Sequence, residues 1–326
     1  MKLAAVSRQL SAVGSGLKVV GRALGMGDET ETDDPNLLID GAFLRQVEAL
    51  RFNAPRAATS GLAGEHASRR KAHSVEFADH RSYVPGDDFR LIDWNVYARL
   101  GELCLKLTEA RENVAVHLLI DCSASMDWGR PNKLLYAKRV AAALGAVALA
   151  SYDTVYVGAF GADLRPVLPP LRGRNAVGPL LDRLRAVTPE GGTDLARAAA
   201  AYGGQVRRRG MAILLTDFLA PAGHEEALGF LARAGLRTTA LHVVDRQEEA
   251  PALDGLLELH DCETDELVRV GVTPALLRRY AARFTAWSDE LATICASQRA
   301  HYVRVPTSVT PRTLVLQALR QEGVLR

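Results

Sequence analysis

Three short apolar runs in the middle of the chain constrain its fold more than any other feature. Val114–Ile120, apart from His117, and Met211–Leu215 are apolar runs, as expected of strands buried on both faces, and Arg237–Val244 is similar beyond its first residues. Helical patterns separate these runs, and the longest of them, Lys133–Ser151, contains the extended apolar stretch Val140–Ala150. Strands that alternate with helices predict an α/β fold with a mostly parallel central sheet flanked by helices.

Further elements are predicted on both sides of this core, and we expect the segment His301–Val305 to add a last strand to the sheet. The other predictions are a helix near Leu38–Leu50, a strand at Thr154–Phe160, a short extended piece at Arg165–Leu168, helices at Ala176–Val187, Asp194–Val206 and Glu225–Ala234, a hairpin within Leu256–Val270, a long helix with an apolar stripe from Leu277 to Ile294, and a closing helix at Pro311–Gln321.

The predicted organisation has four parts. Residues 1–35 form a leader and linker, and residues 36–110 form a small mixed α/β subdomain to which a late insertion adds. Residues 111–246 form the α/β core, which residues 247–326 complete with a hairpin, a long helix, the last strand and the closing helix.

The leader has its own pattern. Between Leu3 and Leu24 apolar residues recur at spacings of three and four, and basic residues lie off that face. A basic amphipathic helix can lie on an anionic membrane, so peripheral membrane contact through residues 3–24 is one prediction. The alternative is a loosely ordered leader, because each glycine in this stretch weakens a helix by roughly 1 kcal/mol relative to alanine. An acidic linker, Asp28–Asp34, follows.

Charge and cysteine content argue against several classes of protein. The chain has 40 basic and 38 acidic residues, a net charge of +2 and only 6% aromatic residues, which disfavours binding to nucleic acid. Its four cysteines form no C-x-x-C pair and predict reduced thiols of a cytoplasmic protein. No secretory signal is evident, and no apolar run reaches the ~20 residues of a membrane-spanning helix.

Polar side chains follow the apolar strands at the points where the strands end. Asp121, Ser123 and Ser125 come directly after the first strand, at the spacing that turns alternate side chains to one side. Asp217 follows the second strand, and Thr193 ends a Gly-Gly-Thr loop that opens a helix. Carboxylates and hydroxyls are the ligands that Mg²⁺ prefers. Such residues also cap helices and turns, but their positions at matching strand ends favour a shared metal site.

The pattern Asp121-x-Ser123-x-Ser125, with Thr193 and Asp217 downstream, resembles the metal-ion-dependent adhesion site of von Willebrand factor A domains. The resemblance implies a von Willebrand factor A-like fold with Mg²⁺, or another divalent cation such as Mn²⁺ or Ca²⁺, as cofactor. It also implies that the first loop of the site holds the Asp-Ser-Ser residues, the second Thr193 and the third Asp217. One coordination position is then left for a carboxylate of a protein ligand.

A second resemblance covers the preceding segment and extends from about Leu44 to the end of the chain. The residues that carry it are Phe77-Ala78-Asp79-His80-Arg81-x-Tyr83-x-Pro85-Gly86-Asp87-Asp88-x-Arg90-x-Ile92-Asp93-Trp94, followed by Ala98-Arg99. They are similar to the signature of the domain-of-unknown-function fifty-eight family. This resemblance implies an adaptor for a MoxR-type AAA+ ATPase, in assembly, remodelling or metal loading of other proteins.

The charged residues of that signature allow two interpretations. A catalytic carboxylate cluster is one, but an ion-pair network that fixes a loop is more common for so dense a mixture of charges. We therefore expect three acids to be held by three arginines and to brace the subdomain against the core. The acids are Asp87, Asp88 and Asp93, and the arginines are Arg81, Arg90 and Arg99.

Two functions from different classes remain open after these steps. One is a metal-dependent protein-binding adaptor without catalytic residues, and the alternative is a phosphatase-like hydrolase that uses Asp121 as nucleophile. Such hydrolases place an acid/base residue two positions after the nucleophile, where this chain has Ser123. The chain also has no P-loop motif for nucleotide hydrolysis. The adaptor is therefore the favoured prediction.

Overall fold

The computed structural model describes residues 37–53, 75–85, 87, 89, 92–110, 113–263 and 266–326, with the backbone alone for 75–81 and 106–110. The predicted leader and acidic linker lie outside these residues. The chain divides into two units, and the smaller one comprises residues 55–113. Among the described helices, none combines the length and the hydropathy needed to cross a membrane.

Strands and helices alternate through most of the large unit. The strands of the described chain are β1 (Val75–Ser82), β2 (Cys104–Ala110), β3 (Ala115–Asp121), β4 (Thr154–Phe160), β5 (Leu171–Arg172), β6 (Gly210–Thr216), β7 (Leu236–Val244), β8 (Gly255–His260), β9 (Leu267–Val272) and β10 (His301–Pro306). The α-helices are α1 (Gly41–Val47), α2 (Trp94–Leu100), α3 (Lys133–Ala150), α4 (Val177–Arg185), α5 (Leu195–Gln205), α6 (His224–Arg233), α7 (Arg246–Glu249), α8 (Pro274–Ser297), α9 (Pro311–Thr313) and α10 (Leu319–Gln321).

A six-stranded sheet of order β10-β7-β6-β3-β4-β5 forms the centre of the large unit. All neighbouring strands in it are parallel except the pair β4 and β5. Counted within this sheet, the strand order from the β5 edge is 3-2-1-4-5-6, the order of doubly wound α/β folds. The predicted fold class, a von Willebrand factor A-like α/β fold with a mostly parallel sheet flanked by helices, is therefore confirmed.

Helices cover both faces of this sheet, and β3 at its centre is buried along its whole length. Leu118 packs in one core cluster with residues of α3, while the adjacent Leu119 packs in a second cluster with residues of α5 and α6. Successive side chains of a strand point to opposite faces, so a strand covered on both faces is mostly apolar. This explains the apolar run in the sequence, which only His117 interrupts, and the ring of His117 is hydrogen-bonded to the Tyr202 hydroxyl.

The segment after β4 contains a short strand that the sequence did not indicate. Residues Arg165–Leu168 form no strand, and the antiparallel edge strand is instead Leu171–Arg172. Pro166 interrupts the predicted stretch, and because proline has no backbone N–H it cannot donate to a ladder of strand hydrogen bonds. The strand forms only after the last proline of this segment.

The N-terminal part of the described chain packs with the large unit, although the predicted subdomain began at residue 36. Phe43 and Val47 of α1 lie in the same core cluster as residues of α3. Phe52 forms a bridge with Leu325 near the end of the chain. The closing helical segment runs as predicted from residue 311 to residue 321, with a π-helical turn, Leu314–Ala318, between α9 and α10.

The small unit contains the antiparallel pair β1 and β2 and the helix α2. Asp93 caps α2 by accepting hydrogen bonds from the backbone of Asn95 at 3.0 Å and of Val96 at 3.4 Å. The Asp87 carboxylate accepts one from the Val84 backbone at 3.0 Å. In the predicted ion-pair network Asp88, Arg90 and the side chain of Arg81 lie outside the described residues, so the network stays a prediction.

Candidate functional site

The two predicted carboxylates come from neighbouring strands. Asp121 is the last residue of β3, and Asp217 directly follows β6. Because β3 and β6 are parallel neighbours, with Ile120 opposite Leu215, both carboxylates lie at the carboxyl edge of the sheet. Both side chains are buried. This edge is where open α/β sheets place their binding sites.

Hydrogen bonds join the first loop to both carboxylates. The Ser123 backbone N–H donates to Asp121 Oδ1 at 2.9 Å, and the Thr216 hydroxyl donates to Asp121 Oδ2 at 2.7 Å. The hydroxyl oxygens of Ser123 and Ser125 lie 3.0 Å apart, and the Ser125 side chain is hydrogen-bonded to Asp217. Four of the five predicted site residues therefore belong to one buried network.

The fifth predicted residue, Thr193, lies in a loop that is fixed beside the first one. The backbone N–H of Ala124 donates to the Gly191 carbonyl at 2.8 Å, which joins the two loops. The Thr193 hydroxyl itself donates to Glu263 Oε1 at 3.3 Å. The structure thus places Thr193 next to the site, but the partner of its hydroxyl is a residue that the sequence analysis did not identify.

Lys133 is a second residue that the sequence analysis missed. It lies in the first turn of α3 with its side chain fully buried, and its Nζ donates to Asp217 Oδ2 at 2.7 Å and also to Glu248. A lysine at the amino end of a helix opposes the helix dipole, and that unusual position is the one indication of its role in the sequence. We call four of the buried ionisable residues at this edge the edge cluster: Asp121, Lys133, Asp217 and Glu248.

The edge cluster shifts the pKa values of its members in different directions. Burial, and then repulsion from Asp217, raises the pKa of Asp121 to about 7. Burial would also raise the pKa of Asp217, but the charge of Lys133 outweighs it and holds that pKa below its ordinary value. Burial raises the pKa of Glu248 despite the same lysine. Among the described residues, the groups that mainly oppose this rise at Asp121 are the hydrogen-bond donors Thr216 and Ser123, and not a positive charge.

These donors fit a hard divalent cation with few charged ligands. Within the described residues, no group of three or more His, Cys, Asp or Glu side chains is placed to hold a metal ion. A cation here would depend on Asp121, the loop hydroxyls and Asp217, whose Oδ1 also accepts from the Leu219 backbone at 3.1 Å. Contact with Asp217 through water suits Mg²⁺, which keeps several of its waters. The metal-ligand roles of the five residues stay a prediction.

The fold and this edge define an α/β protein of the von Willebrand factor A-like class with a buried acidic and hydroxyl-rich site. The chain belongs to the family described as protein of unknown function DUF58, whose model matches residues 79–290. The uncharacterized proteins Mb1516 of Mycobacterium bovis and Rv1480 of Mycobacterium tuberculosis are each 31% identical to it over 270 residues. Each match covers 80% of this chain and 82% of the relative.

Several solved structures resemble the chain at low identity. BatB from Bacteroides thetaiotaomicron has 18% identity and a TM-score of 0.41, over 65% of this chain and 99% of its own. An aerotolerance-related membrane protein from Bacteroides fragilis has 18% identity and a TM-score of 0.42, over 65% and 98%. Manganese-loaded TRAP from Plasmodium vivax has 15% identity and a TM-score of 0.35, over 66% and 75%. The fold assignment above rests on strand order and direction.

Proposed function

We propose that the protein is a cytoplasmic, metal-dependent protein-binding adaptor without enzymatic activity. In this proposal Mg²⁺, or another divalent cation such as Mn²⁺ or Ca²⁺, is held by two carboxylates and three hydroxyls. An acidic side chain of a protein partner then completes the coordination of the ion. The ligands are Asp121, Ser123, Ser125, Thr193 and Asp217.

The observation that carries the proposal is the convergence of Asp121, Asp217 and the two loop serines in one buried network at the carboxyl edge of the sheet. An ionised carboxylate that is buried and repelled by a second one is costly, and a divalent cation would remove that cost. Lys133 already compensates Asp217, so the bound cation would keep part of its charge for an incoming carboxylate. The position two residues after Asp121 is Ser123, which cannot act as an acid/base near neutral pH.

The proposed partner is a MoxR-type AAA+ ATPase, acting in assembly, remodelling or metal loading of other proteins. This part rests on the family resemblance. The cytoplasmic location rests on the cysteines, since all four are free thiols and Cys122 and Cys295 are buried. A single metal–carboxylate contact does not hold two proteins together, so we expect it to lie within an interface of standard size, ~1,600 Å².

Replacing Asp121 with asparagine tests the proposal. We expect Asp121→Asn to lower the Mg²⁺ affinity measured by calorimetry at least tenfold, because a hard cation depends on charged oxygen ligands. The melting temperature of the metal-free variant should not fall, because the substitution removes a repelled buried charge. Retention of a purified MoxR-type ATPase in a pull-down should require Mg²⁺ and be lost in the variant.

Asp182→Asn is the matched control, because its carboxylate is 74% exposed on α4 and its loss should change neither measurement. Equal Mg²⁺ affinity in Asp121→Asn and the parent would contradict the proposal. Steady hydrolysis of a phosphate ester by the parent, abolished in Asp121→Asn, would favour the hydrolase.

A further inference from the structure

The hairpin of β8 and β9 reaches the candidate metal site through one residue of its turn, Glu263. Glu263 Oε2 accepts a hydrogen bond from the Thr193 backbone N–H at 3.2 Å, and Oε1 accepts one from the Thr193 hydroxyl at 3.3 Å. The Glu263 backbone is itself held by Asp261, whose Oδ1 accepts from the Glu263 N–H at 2.8 Å. Both oxygens of this carboxylate therefore engage the same residue of the second loop.

The loop is shaped to receive this carboxylate. A Cβ atom added at Gly192 would lie 3.3 Å from Glu263 Oε2, closer than most such contacts in proteins. Glycine at this position thus lets the carboxylate lie directly against the loop backbone. The close contact between the hairpin turn and the loop therefore depends on both sides: on glycine at position 192 of the loop and on the glutamate of the turn.

The direction of the Thr193 hydrogen bond has a chemical consequence. A hydroxyl that donates its hydrogen to Glu263 keeps its oxygen lone pairs free for a cation, whereas an unpartnered hydroxyl rotates. Carboxylates outside the coordination sphere orient metal ligands in this way, and their loss typically weakens metal binding 10- to 100-fold. Glu263 forms no group with two other acidic, His or Cys residues of the described chain that is placed to hold a metal ion. Its geometry is that of an orienting group.

The hairpin gains order through the same contact. Its two strands pair with each other, and Leu256 and Leu267 are 82% and 60% exposed. A two-stranded hairpin is marginally stable by itself, so a contact at its turn adds to its order. The same contact orients a metal ligand and orders the hairpin. Metal binding should therefore order the hairpin, and an ordered hairpin should favour metal binding.

We infer that Glu263 is a positioning residue of the metal site, which holds the Thr193 hydroxyl toward the cation and couples the β8–β9 hairpin to metal binding. This inference rests on the proposed function, since it requires a cation at the site. It adds a residue and a structural element to that site, and it predicts that a cation orders a hairpin that contributes no ligand.

A double-mutant cycle followed by Mn²⁺ calorimetry tests the inference. Glu263→Ala should weaken Mn²⁺ binding about tenfold. Glu263→Gln, which keeps an acceptor for the Thr193 hydroxyl, should recover part of the loss. In a Thr193→Ala background, Glu263→Ala should cost clearly less than it does in the parent, because the contact with the hydroxyl is already gone and the hydrogen bond from the Thr193 backbone N–H remains. Asp254→Asn, an exposed acid just before β8, is the charge-matched control and should bind Mn²⁺ as the parent does.

Hydrogen exchange of the hairpin provides a second readout. Mn²⁺ should slow exchange in β8 and β9 of the parent and leave it unchanged in Glu263→Ala. Equal Mn²⁺ affinity in the parent and Glu263→Ala, or losses that add in the double variant, would overturn the inference and leave the proposed function standing. A parent protein that binds none of Mg²⁺, Mn²⁺ and Ca²⁺ would overturn both, and the affinity of the parent for these ions therefore distinguishes the two failures.

Discussion

Two groups of buried polar residues lie in the large unit, and they differ in charge. The edge cluster at the carboxyl end of the sheet contains three carboxylates and one lysine. Within the strands, His117 and His242 are buried as neutral rings, each beside a tyrosine hydroxyl. The Tyr202 hydroxyl lies 2.7 Å from His117 Nδ1, and the Tyr302 hydroxyl lies 2.6 Å from His242 Nδ1.

The two groups respond differently to burial. Burial lowers the pKa of His117 to about 4 and that of His242 to about 3, so both rings are uncharged at neutral pH. In the edge cluster, by contrast, Lys133 keeps its positive charge between carboxylates. Burial of that charge costs desolvation free energy. If the fold needed only hydrogen-bonded polar groups at this edge, neutral pairs such as histidine with tyrosine would supply them at a lower desolvation cost. Charge kept at such a cost is typical of a binding site.

The largest expected effect comes from removing the single cation of the edge cluster. Lys133→Met should lower the free energy of unfolding by about 3–5 kcal/mol, because it leaves Asp217 and Glu248 buried without a compensating charge. Burial alone would lower the pKa of Lys133, but these two carboxylates outweigh it and raise the pKa above its ordinary value. Chemical denaturation of the variant and the parent at pH 7 measures the difference.

Adding Asp217→Asn to Lys133→Met provides the control. The double variant should be more stable than Lys133→Met alone, because one of the two uncompensated carboxylates is gone. If Lys133→Met unfolds like the parent, the edge cluster is not held by charge, and the contrast with the histidines fails.

The next largest effect is a dependence of the free energy of unfolding on pH, which arises from protonation of the histidines. The folded-state pKa of His117 is about 4, below the ordinary value of 6.5. Below pH 6.5 the unfolded chain therefore takes up a proton that the folded ring excludes, and stability falls as the pH falls toward 4. The slope is about 1.4 kcal/mol per pH unit for one such group.

A His117→Gln variant isolates this slope. Glutamine has nothing to titrate, so the parent should lose stability relative to the variant as the pH is lowered from 7 to 5. Denaturation curves at pH 7, 6 and 5 give the difference directly. Parallel stability profiles for the two proteins would show that the pKa of the folded His117 ring is not lowered.

The sequence predicted the sheet and the carboxylates at its edge for a simple physical reason. A strand buried on both faces is mostly apolar, so β3 and β6 are visible as apolar runs, which only His117 interrupts, and the acids at their ends mark where the strands stop. Asp121 and Asp217 could therefore be placed together from local patterns alone. The pairing of their strands in the structure agrees with that prediction.

The partners of these residues could not be predicted, because they come from distant parts of the chain. Lys133 and Glu248 are 115 residues apart in sequence, and Thr193 and Glu263 are 70 apart. Periodicity describes which face of an element is buried, but it carries no information on which distant side chain meets another. The edge strand Leu171–Arg172 was not predicted for a related reason, since two residues of pairing leave almost no pattern.

The smallest expected effect is the loss of one neutral hydrogen bond from the second histidine. Tyr302→Phe removes the hydroxyl beside His242 Nδ1 and should lower the free energy of unfolding by about 1–2 kcal/mol, the usual cost of leaving a buried polar atom without its partner. The aromatic ring keeps its packing, so a larger loss is not expected. Tyr152→Phe, at an exposed position, should leave stability unchanged. A loss comparable to that of Lys133→Met would show that the His242–Tyr302 contact carries charge, and the distinction between the neutral strand interior and the charged edge would then no longer hold.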